Sequence, residues 1–357
     1  MEKKPLHIAI VGCGNIAGAY ARTFAPYPQI RLLGATDIDF ARAEAYAAEH
    51  GGKAYPSLEA LLEDPEVDVV VNLSIHHAHA AVIRQCLEAG KDVYSEKPLA
   101  LSSEEAWALV RLAEEKGRRL SCAPMTILGE AQQTLWKAIR DGLAGEVRVA
   151  YAEVNWGRIE SWHPAPGPFY EVGALFDAGV YPLTIMTTIF GPARRVIGFG
   201  KVLYPDRVTQ TGEPFHIETP DFVTATIEFA SGAVARLTAS FYVGQHSKQK
   251  GIEFHGDKGS LFIDSWQEFD AKVEYARFGE AYQPLPYLRE PYRGIEWARG
   301  VLDIASAIEE QRPQRITGTQ AAHVVDILCA IRQSYEQGTP VELQSEFVQP
   351  EPMDWAR

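Results

Sequence analysis

The feature that most limits how this chain can fold is a rhythm in its first third. Strand-like runs recur at His7–Val11, Arg31–Thr36, Lys53–Tyr55, Val67–Asn72 and Asp92–Ser95, most of them separated by helical patterns. The first run flows directly into Gly12-Cys13-Gly14-Asn15-Ile16-Ala17. Strands alternating with helices pair in parallel, since each helix carries the chain back to the edge it left, and the result is a doubly wound α/β sheet. Ligands of such sheets lie in the crevice beyond the carboxyl ends of the central strands.

The glycine loop suits that position. Gly12 allows a tight turn, Gly14 lets backbone approach a pyrophosphate, and Ala17 allows close packing of helix on strand. The helix start near Asn15 and Ile16 turns its positive end to the phosphates. Asp37 closes the second strand, where its carboxylate would accept ribose hydroxyls and repel a 2′-phosphate. NAD is therefore expected over NADP, with only Arg42 nearby to argue otherwise. Asp37 also suits the N-cap of a helix starting near Phe40, and both readings stand. His76, His77 and His79 follow the fourth strand, without a cysteine or carboxylate beside them to complete a coordination shell. They read as cofactor-lining or helix-start residues, and no metal is expected. Lys97 falls just past the fifth strand, over the nicotinamide half of a bound dinucleotide. A cation there can hold a substrate hydroxyl while hydride leaves the adjacent carbon, which reads as redox chemistry.

With 357 residues, two domains are expected. Ser102 and Glu105 form a capping-box pattern for a helix ending near Gly117, Arg119–Ala123 reads as a sixth strand, and Pro124 marks the exit. The boundaries are thus 1–123 and 124–357. After a helix near Glu130–Asp141 come long strands at Val147–Trp156, Arg194–Tyr204, Phe222–Phe229, Ala233–Tyr242, Lys250–His255 and Ser260–Asp264, several joined by short turns. One helix, Ala174–Ile189, interrupts them, and two more follow near Ile295–Glu310 and Thr319–Gln337. A mostly antiparallel, helix-backed sheet is the expected second domain, with Asp206–Glu218 and Gly279–Arg293 as long loops.

The net charge of −13 argues against nucleic acid or an anionic membrane as a partner, both of which reward clustered cations. No stretch reads as long enough to span a membrane. Met1-Glu2-Lys3-Lys4 before Leu6–Val11 imitates a signal peptide faintly, but the apolar run is short and meets a glycine turn. Four scattered cysteines without a C-x-x-C pair suit reduced thiols and a cytoplasmic chain.

With these residues placed, the chain resembles the glucose–fructose oxidoreductase/inositol dehydrogenase (Gfo/Idh/MocA) family over nearly its whole length. The resemblance rests on the glycine loop, Ser74-x-x-x-x-His79, Ala89-Gly90-Lys91-Asp92-Val93-Tyr94-Ser95-Glu96-Lys97-Pro98, Gly145-Glu146-Val147 and Asp177-Ala178-Gly179-Val180-Tyr181. It implies a Rossmann domain and an open-faced α/β domain that joins homodimers or homotetramers through its sheet. It also implies NAD(P)-linked chemistry on sugars, polyols or their derivatives, a cis peptide before Pro98, and Ser74, His76, His79 and Glu96 beside the cofactor. Tyr181 stands where many relatives carry histidine, and Thr184 where many carry an acid. Pro124-Met125-Thr126-Ile127 replaces a polar stretch, and Val172-Gly173 a longer glycine run.

Asp177 and Tyr181 are four apart on the expected helix and so share a face. Were that face to meet the crevice, Lys97, Asp177 and Tyr181 would converge on one hydroxyl or carbonyl. A tyrosine, with a reference pKa of about 10, needs a neighbouring ammonium to act near neutrality. The assignment is Tyr181 as proton acceptor or donor, Lys97 as electrostatic partner and Asp177 as orienter, with Lys97 itself the rival acid/base. Trp162 and His163, in the proline- and glycine-rich stretch Trp156–Pro168, suit the apolar side and a hydroxyl of a sugar ring, or else pin a loop. Two other functions fit the same residues: glycoside hydrolysis or elimination with NAD as a recycled oxidant, and a non-catalytic dinucleotide-binding regulator.

Overall fold

The computed structural model describes residues 5–357, so the expectation placed on Met1-Glu2-Lys3-Lys4 lies outside the described residues, while Leu6–Val11 is a strand. In chain order the first elements are β1 (Leu6–Val11), α1 (Ala17–Phe24), β2 (Ile30–Thr36), α2 (Phe40–His50), β3 (Lys53–Ala54), α3 (Leu58–Leu62), β4 (Val69–Asn72), α4 (His79–Glu88), β5 (Asp92–Ser95), α5 (Ser103–Lys116) and β6 (Leu120–Cys122). The six strands form one parallel sheet in the order β3-β2-β1-β4-β5-β6. Ile8, Ile10, Val69 and Val71 have no exposed surface, and neither do Ala9 and Val70 between them, so both faces of the central strands are covered. Strand order reverses between β1 and β4, which makes their carboxyl ends the crevice. The Ser102 side chain accepts the Glu105 N–H at 3.3 Å, and Gly117, at φ +60°, ends α5.

The chain continues through α6 (Glu130–Arg140), β7 (Val147–Asn155), α7 (Gly167–Asp177), α8 (Val180–Phe190), β8 (Ala193–Lys201), β9 (Asp206–Val208), β10 (Pro214–His216), β11 (Phe222–Phe229), β12 (Val234–Ser240), β13 (Gly251–Gly256), β14 (Gly259–Ile263), β15 (Val273–Arg277), β16 (Gln283–Pro284), α9 (Arg299–Glu309), α10 (Gly318–Gln337) and β17 (Val341–Glu342). Nine strands form a sheet in the order β16-β15-β14-β13-β7-β12-β11-β8-β17, antiparallel except between β7 and β12. Alternation sets its faces. Val223, Ala225 and Ile227 are buried, whereas Thr226 between them is exposed. Gly198 and Gly200 admit α10 onto β8, because a Cβ there would lie 2.8 Å from the Ile331 carbonyl oxygen and 2.9 Å from the Tyr335 ring. The opposite face leaves Tyr151, Ile197 and Phe199 exposed.

Three local expectations differ from the structure. Asp206–Glu218 is not a plain loop but holds the β9–β10 ribbon, and Gly279–Arg293 contains β16. The single helix expected at Ala174–Ile189 is two, α7 and α8. Together α7 and α8 (Gly167–Phe190) are long and apolar enough to cross a bilayer by length and composition, contrary to the sequence reading, although Gly173 departs from helical dihedrals; 89% of the apolar window is buried in the fold.

By packing, the chain forms two compact units. The first ends at Met125 and regains Glu296–Ala322; the second comprises Thr126–Ile295 and His323–Arg357. A second domain running unbroken from 124 to 357 is therefore corrected. The returning segment belongs to the first unit for identifiable reasons. Ala298, Val301 and Ile304 are fully buried in one cluster with Ile8, Ile10 and Tyr20. Gly300 lets α9 approach closely, since a Cβ there would fall 2.3 Å from the Tyr94 ring. Buried Glu296 accepts from the Tyr27 hydroxyl and pairs with Arg299, and Asp303 pairs with Arg315 at 2.9 Å.

Candidate functional site

In the first unit the glycine loop fits the phosphates of a dinucleotide. Gly12 sits at φ +97°, and a Cβ there would come 2.7 Å from the Leu73 carbonyl oxygen, so only glycine fits. Gly14 differs: its Cβ would meet nothing within 4 Å, so the loop is open there to an incoming group. α1 begins after Ile16 without a side-chain cap, which presents its positive end to an anion from outside. Asn15 lies between these two features.

Asp37 is wired into this loop. Its Oδ2 accepts the Cys13 N–H at 2.7 Å and its Oδ1 accepts the Asp39 N–H at 2.9 Å. The cap of α2 is Asp39, through the Ala41 N–H at 3.2 Å, so the capping alternative for Asp37 is overturned. Arg42 pairs with Asp39 at 3.5 Å. Burial, then the Asp37 charge, pushes the Cys13 thiol up to about 12, so it stays protonated.

Beyond β4 and β5 lies a polar network. Ser74 Oγ donates to Asn72 Oδ1 at 2.7 Å, and Asn72 Nδ2 donates to Ser95 Oγ at 3.1 Å. His79 is 1% exposed, with Nε2 3.0 Å from the Ser74 carbonyl and Nδ1 2.8 Å from the Pro98 carbonyl. Burial lowers its pKa to about 4, so the neutral ring donates to one carbonyl at a time. Expected at the cofactor, His79 is instead a buried strut with both ring nitrogens turned to backbone. His76 lies one turn earlier, half-buried, its ring 5.9 Å from that of His79. Among the described residues no three His, Cys, Asp or Glu side chains group in a way that would hold a metal.

Glu96 is buried, and it braces the residue after it. Its Oε1 accepts the Tyr20 hydroxyl at 2.7 Å, and its Oε2 accepts the Lys97 N–H at 3.2 Å. The Lys97–Pro98 peptide is cis, and so is Ala123–Pro124, which the sequence reading did not foresee. Lys97 itself is half-buried, just past the carboxyl end of β5.

In the second unit, Asp177 is the last residue of α7 and 4% exposed, and Tyr181 lies in the first turn of α8. Ala178 and Gly179 keep right-handed dihedrals between them, but Pro182 has no N–H to offer the Ala178 carbonyl, so the ladder breaks here. The Tyr181 N–H takes that carbonyl instead, at 3.3 Å. The shared-face argument thus loses its continuous helix. Buried Thr184 returns its hydroxyl to the Val180 carbonyl at 2.9 Å.

An aromatic row runs on from Tyr181. Its ring lies 4.7 Å from that of Trp266, which lies 5.5 Å from Trp156, which stands 6.3 Å from Trp162. Phe169 packs 5.9 Å from Trp162 and 4.8 Å from His163, whose Nδ1 accepts the Ala165 N–H at 3.1 Å. The sequence reading named Trp162 and His163 but not Trp266, whose only signal is a tryptophan in the turn after β14. It also missed Arg207, which sits fully buried on the β9–β10 ribbon and pairs with Glu160 at 2.8 Å and Asp221 at 2.5 Å.

Comparison with known proteins agrees with this fold. Residues 6–123 match the model of an oxidoreductase family with an NAD-binding Rossmann fold, and residues 132–262 match the GFO/IDH/MocA C-terminal domain. The chain is 28% identical over 301 residues to trans-1,2-dihydrobenzene-1,2-diol dehydrogenase of Mus musculus, covering 81% of this chain and 83% of that protein. It is 25% identical to D-glucoside 3-dehydrogenase of Escherichia coli over 96% of this chain and 99% of that one. An NAD-binding oxidoreductase from Klebsiella pneumoniae has the same fold, with a TM-score of 0.84 over 96% of this chain and all of its own, at 23% identity.

Proposed function

The chain belongs to the GFO/IDH/MocA oxidoreductase family, and from that premise we propose that it moves a hydride between NAD and a CH–OH or carbonyl group of a sugar, polyol or glycoside, with Lys97, Asp177 and Tyr181 managing the proton. The observation that carries the reading is the seat of Lys97. It follows β5 directly, next to the β1–β4 reversal, with its backbone braced by Glu96.

The cofactor is held by the open Gly12–Gly14 loop and the start of α1 at Asn15 and Ile16, with Asp37 taking ribose hydroxyls on its remaining lone pairs. A 2′-phosphate would meet that carboxylate, which favours NAD over NADP. Ser74, His76 and Glu96 frame the same end of the sheet. When bound, the nicotinamide supplies the hydride acceptor. Lys97 holds the substrate oxygen and stabilises its developing negative charge, Tyr181 takes up or returns the hydroxyl proton, and Asp177 orients the substrate hydroxyl. Trp162 and His163 contact the substrate. Relatives named for a glucoside and a dihydrodiol support a vicinal-hydroxyl substrate. Assembly as a homodimer or homotetramer through the exposed sheet face bearing Tyr151, Ile197 and Phe199, and residence in the cytoplasm with its four free thiols, complete the proposal.

The test is direct. Purified protein with NAD is screened against sugars, polyols and glycosides for absorbance at the reduced nicotinamide band. Net NADH from one substrate class is expected. Glycosidic cleavage without net NADH, with NAD surviving dialysis, would favour the recycled-oxidant reading, and NAD binding without turnover of any compound would favour a regulator.

A further inference from the structure

We propose that Trp156, Trp162 and Phe169 form a subsite for an aromatic aglycone, so that the preferred substrate is an aryl glycoside and not a free sugar. This deepens the reading above and rests on it. The row beginning at Tyr181 extends, through Trp266, well past what one sugar ring needs, and it ends in a corner. Trp156 and Trp162 stand at 87°, and Phe169 meets Trp162 at 70°. Rings set edge to face present both a negative face and a positive edge, the arrangement a third aromatic ring completes. Trp162, at the outer end, is 46% exposed.

The corner has little to offer a second sugar. A sugar ring needs hydrogen-bonding groups, and apart from the exposed Arg158 guanidinium the polar side chains of this turn are engaged within the protein. The Arg158 guanidinium lies over Tyr204 and Tyr242, at 4.7 and 5.5 Å from their ring centres. Ser161 Oγ donates to the Arg158 carbonyl at 2.6 Å, and His163 Nδ1 accepts the Ala165 N–H. Glu160 is taken by Arg207 and the Tyr170 hydroxyl. What faces outward is the Trp162 ring, together with the exposed Arg158 and Ser161.

The corner is also held rigid from behind. Arg207 donates to Glu160, to the Tyr170 hydroxyl at 2.7 Å, to Asp221 and to the Tyr204 carbonyl at 3.0 Å. The Tyr170 hydroxyl in turn accepts the Ile159 N–H at 3.2 Å. Burying three charges to fix one turn is costly and is a poor route to stability alone. It suits a surface that must hold one shape before its ligand arrives. Because Tyr170 lies on α7, the same frame ties the corner to the helix that ends in Asp177.

The test compares phenyl β-D-glucopyranoside with methyl β-D-glucopyranoside on the NAD-loaded protein, by tryptophan fluorescence titration and by turnover. The phenyl compound should bind about tenfold more tightly, a difference of roughly 1.4 kcal/mol. Trp162→Ala should bring the ratio of the two affinities close to one, and Trp162→Phe should keep part of it. NAD affinity and the unfolding midpoint certify that each variant is folded. Equal affinities in the unaltered protein, or an undiminished ratio in Trp162→Ala, would overturn the subsite while leaving the dehydrogenase reading intact. If neither glucoside binds or turns over while NAD binds, the subsite falls, and the wider screen of sugars, polyols and glycosides decides the substrate class.

Discussion

In the proposed mechanism Lys97 carries the most chemistry for the least structure. Its ammonium is assigned to the substrate oxygen, whereas its main-chain N–H belongs to Glu96, so truncating the side chain leaves the brace in place. Lys97→Ala should therefore lower kcat by about 10³-fold, within the usual range for a positioned proton-transfer or charge-stabilising group. NAD affinity, measured by fluorescence titration, should change less than about threefold. Near-normal turnover in that variant would remove Lys97 from the mechanism. Tyr181→Phe discriminates the acid/base. If the phenol transfers the proton, kcat should fall by about 10²-fold or more, with an unchanged unfolding midpoint because the ring still packs on Trp266. If Lys97 is the acid/base, Tyr181→Phe should mainly raise KM. Tyr20 is the quieter partner: fully buried, it holds Glu96 by one hydroxyl, and no sequence motif marked it.

At the scale of elements, the sequence was most legible where periodicity and turn chemistry agree. Asp92–Ser95 and Phe222–Phe229 were read to the residue, and the glycine loop and capping box fell where their chemistry demands. It was least legible where an element depends on distant partners. β15, β16 and β17 are strands because neighbours supply their hydrogen bonds, and the β9–β10 ribbon is organised around an arginine whose two carboxylates lie 47 and 14 residues away in sequence. The split between α7 and α8 was written in Pro182, but the apolar run around it masked the signal. Gly173 tests how far that helical pair tolerates change. It sits inside α7 at φ +81°, and a Cβ would lie 2.6 Å from Thr219 Cγ2. Gly173→Ala should cost about 1–3 kcal/mol in denaturant unfolding, from strain and contact together. It should also lower kcat more than NAD affinity, because α7 ends in Asp177. Gly300→Ala makes the complementary case in the first unit, where the added methyl meets the Tyr94 ring. There the loss should appear in stability and NAD binding together, and wild-type NAD affinity with an unshifted midpoint would refute the close packing of α9 on the sheet.

For the whole molecule, pH joins what the packing separates. Each compact unit hides one histidine whose pKa burial lowers to about 4: His79 in the first and His323 in the second. His323 has no exposed surface, accepts the Ala193 N–H at Nε2 (2.9 Å), and faces Ser345 Oγ from Nδ1 (2.7 Å). Protonating Nε2 would remove that acceptor. The sign follows from where the proton goes. In the unfolded chain each ring titrates near 6.5, but in the fold it stays neutral down to about 4. Between those values the unfolded state binds the extra protons, so stability falls as pH drops from about 6.5 toward 4 and is at its full value above that window. Each histidine contributes at most about 1.4 kcal/mol per pH unit within it. Asp64, held at about 2 chiefly by its bond to Lys53, adds its own loss only at lower pH, from about 4 downward. Scanning calorimetry from pH 7 to pH 4.5 should therefore show both units unfolding at progressively lower temperature. His323→Gln keeps an oxygen for the Ala193 N–H but cannot titrate, so it should flatten the dependence of the second unit alone and leave that of the first unchanged. A wild-type slope in that variant would mean that the acid sensitivity of the second unit lies in its carboxylates, with His323 contributing only its packing.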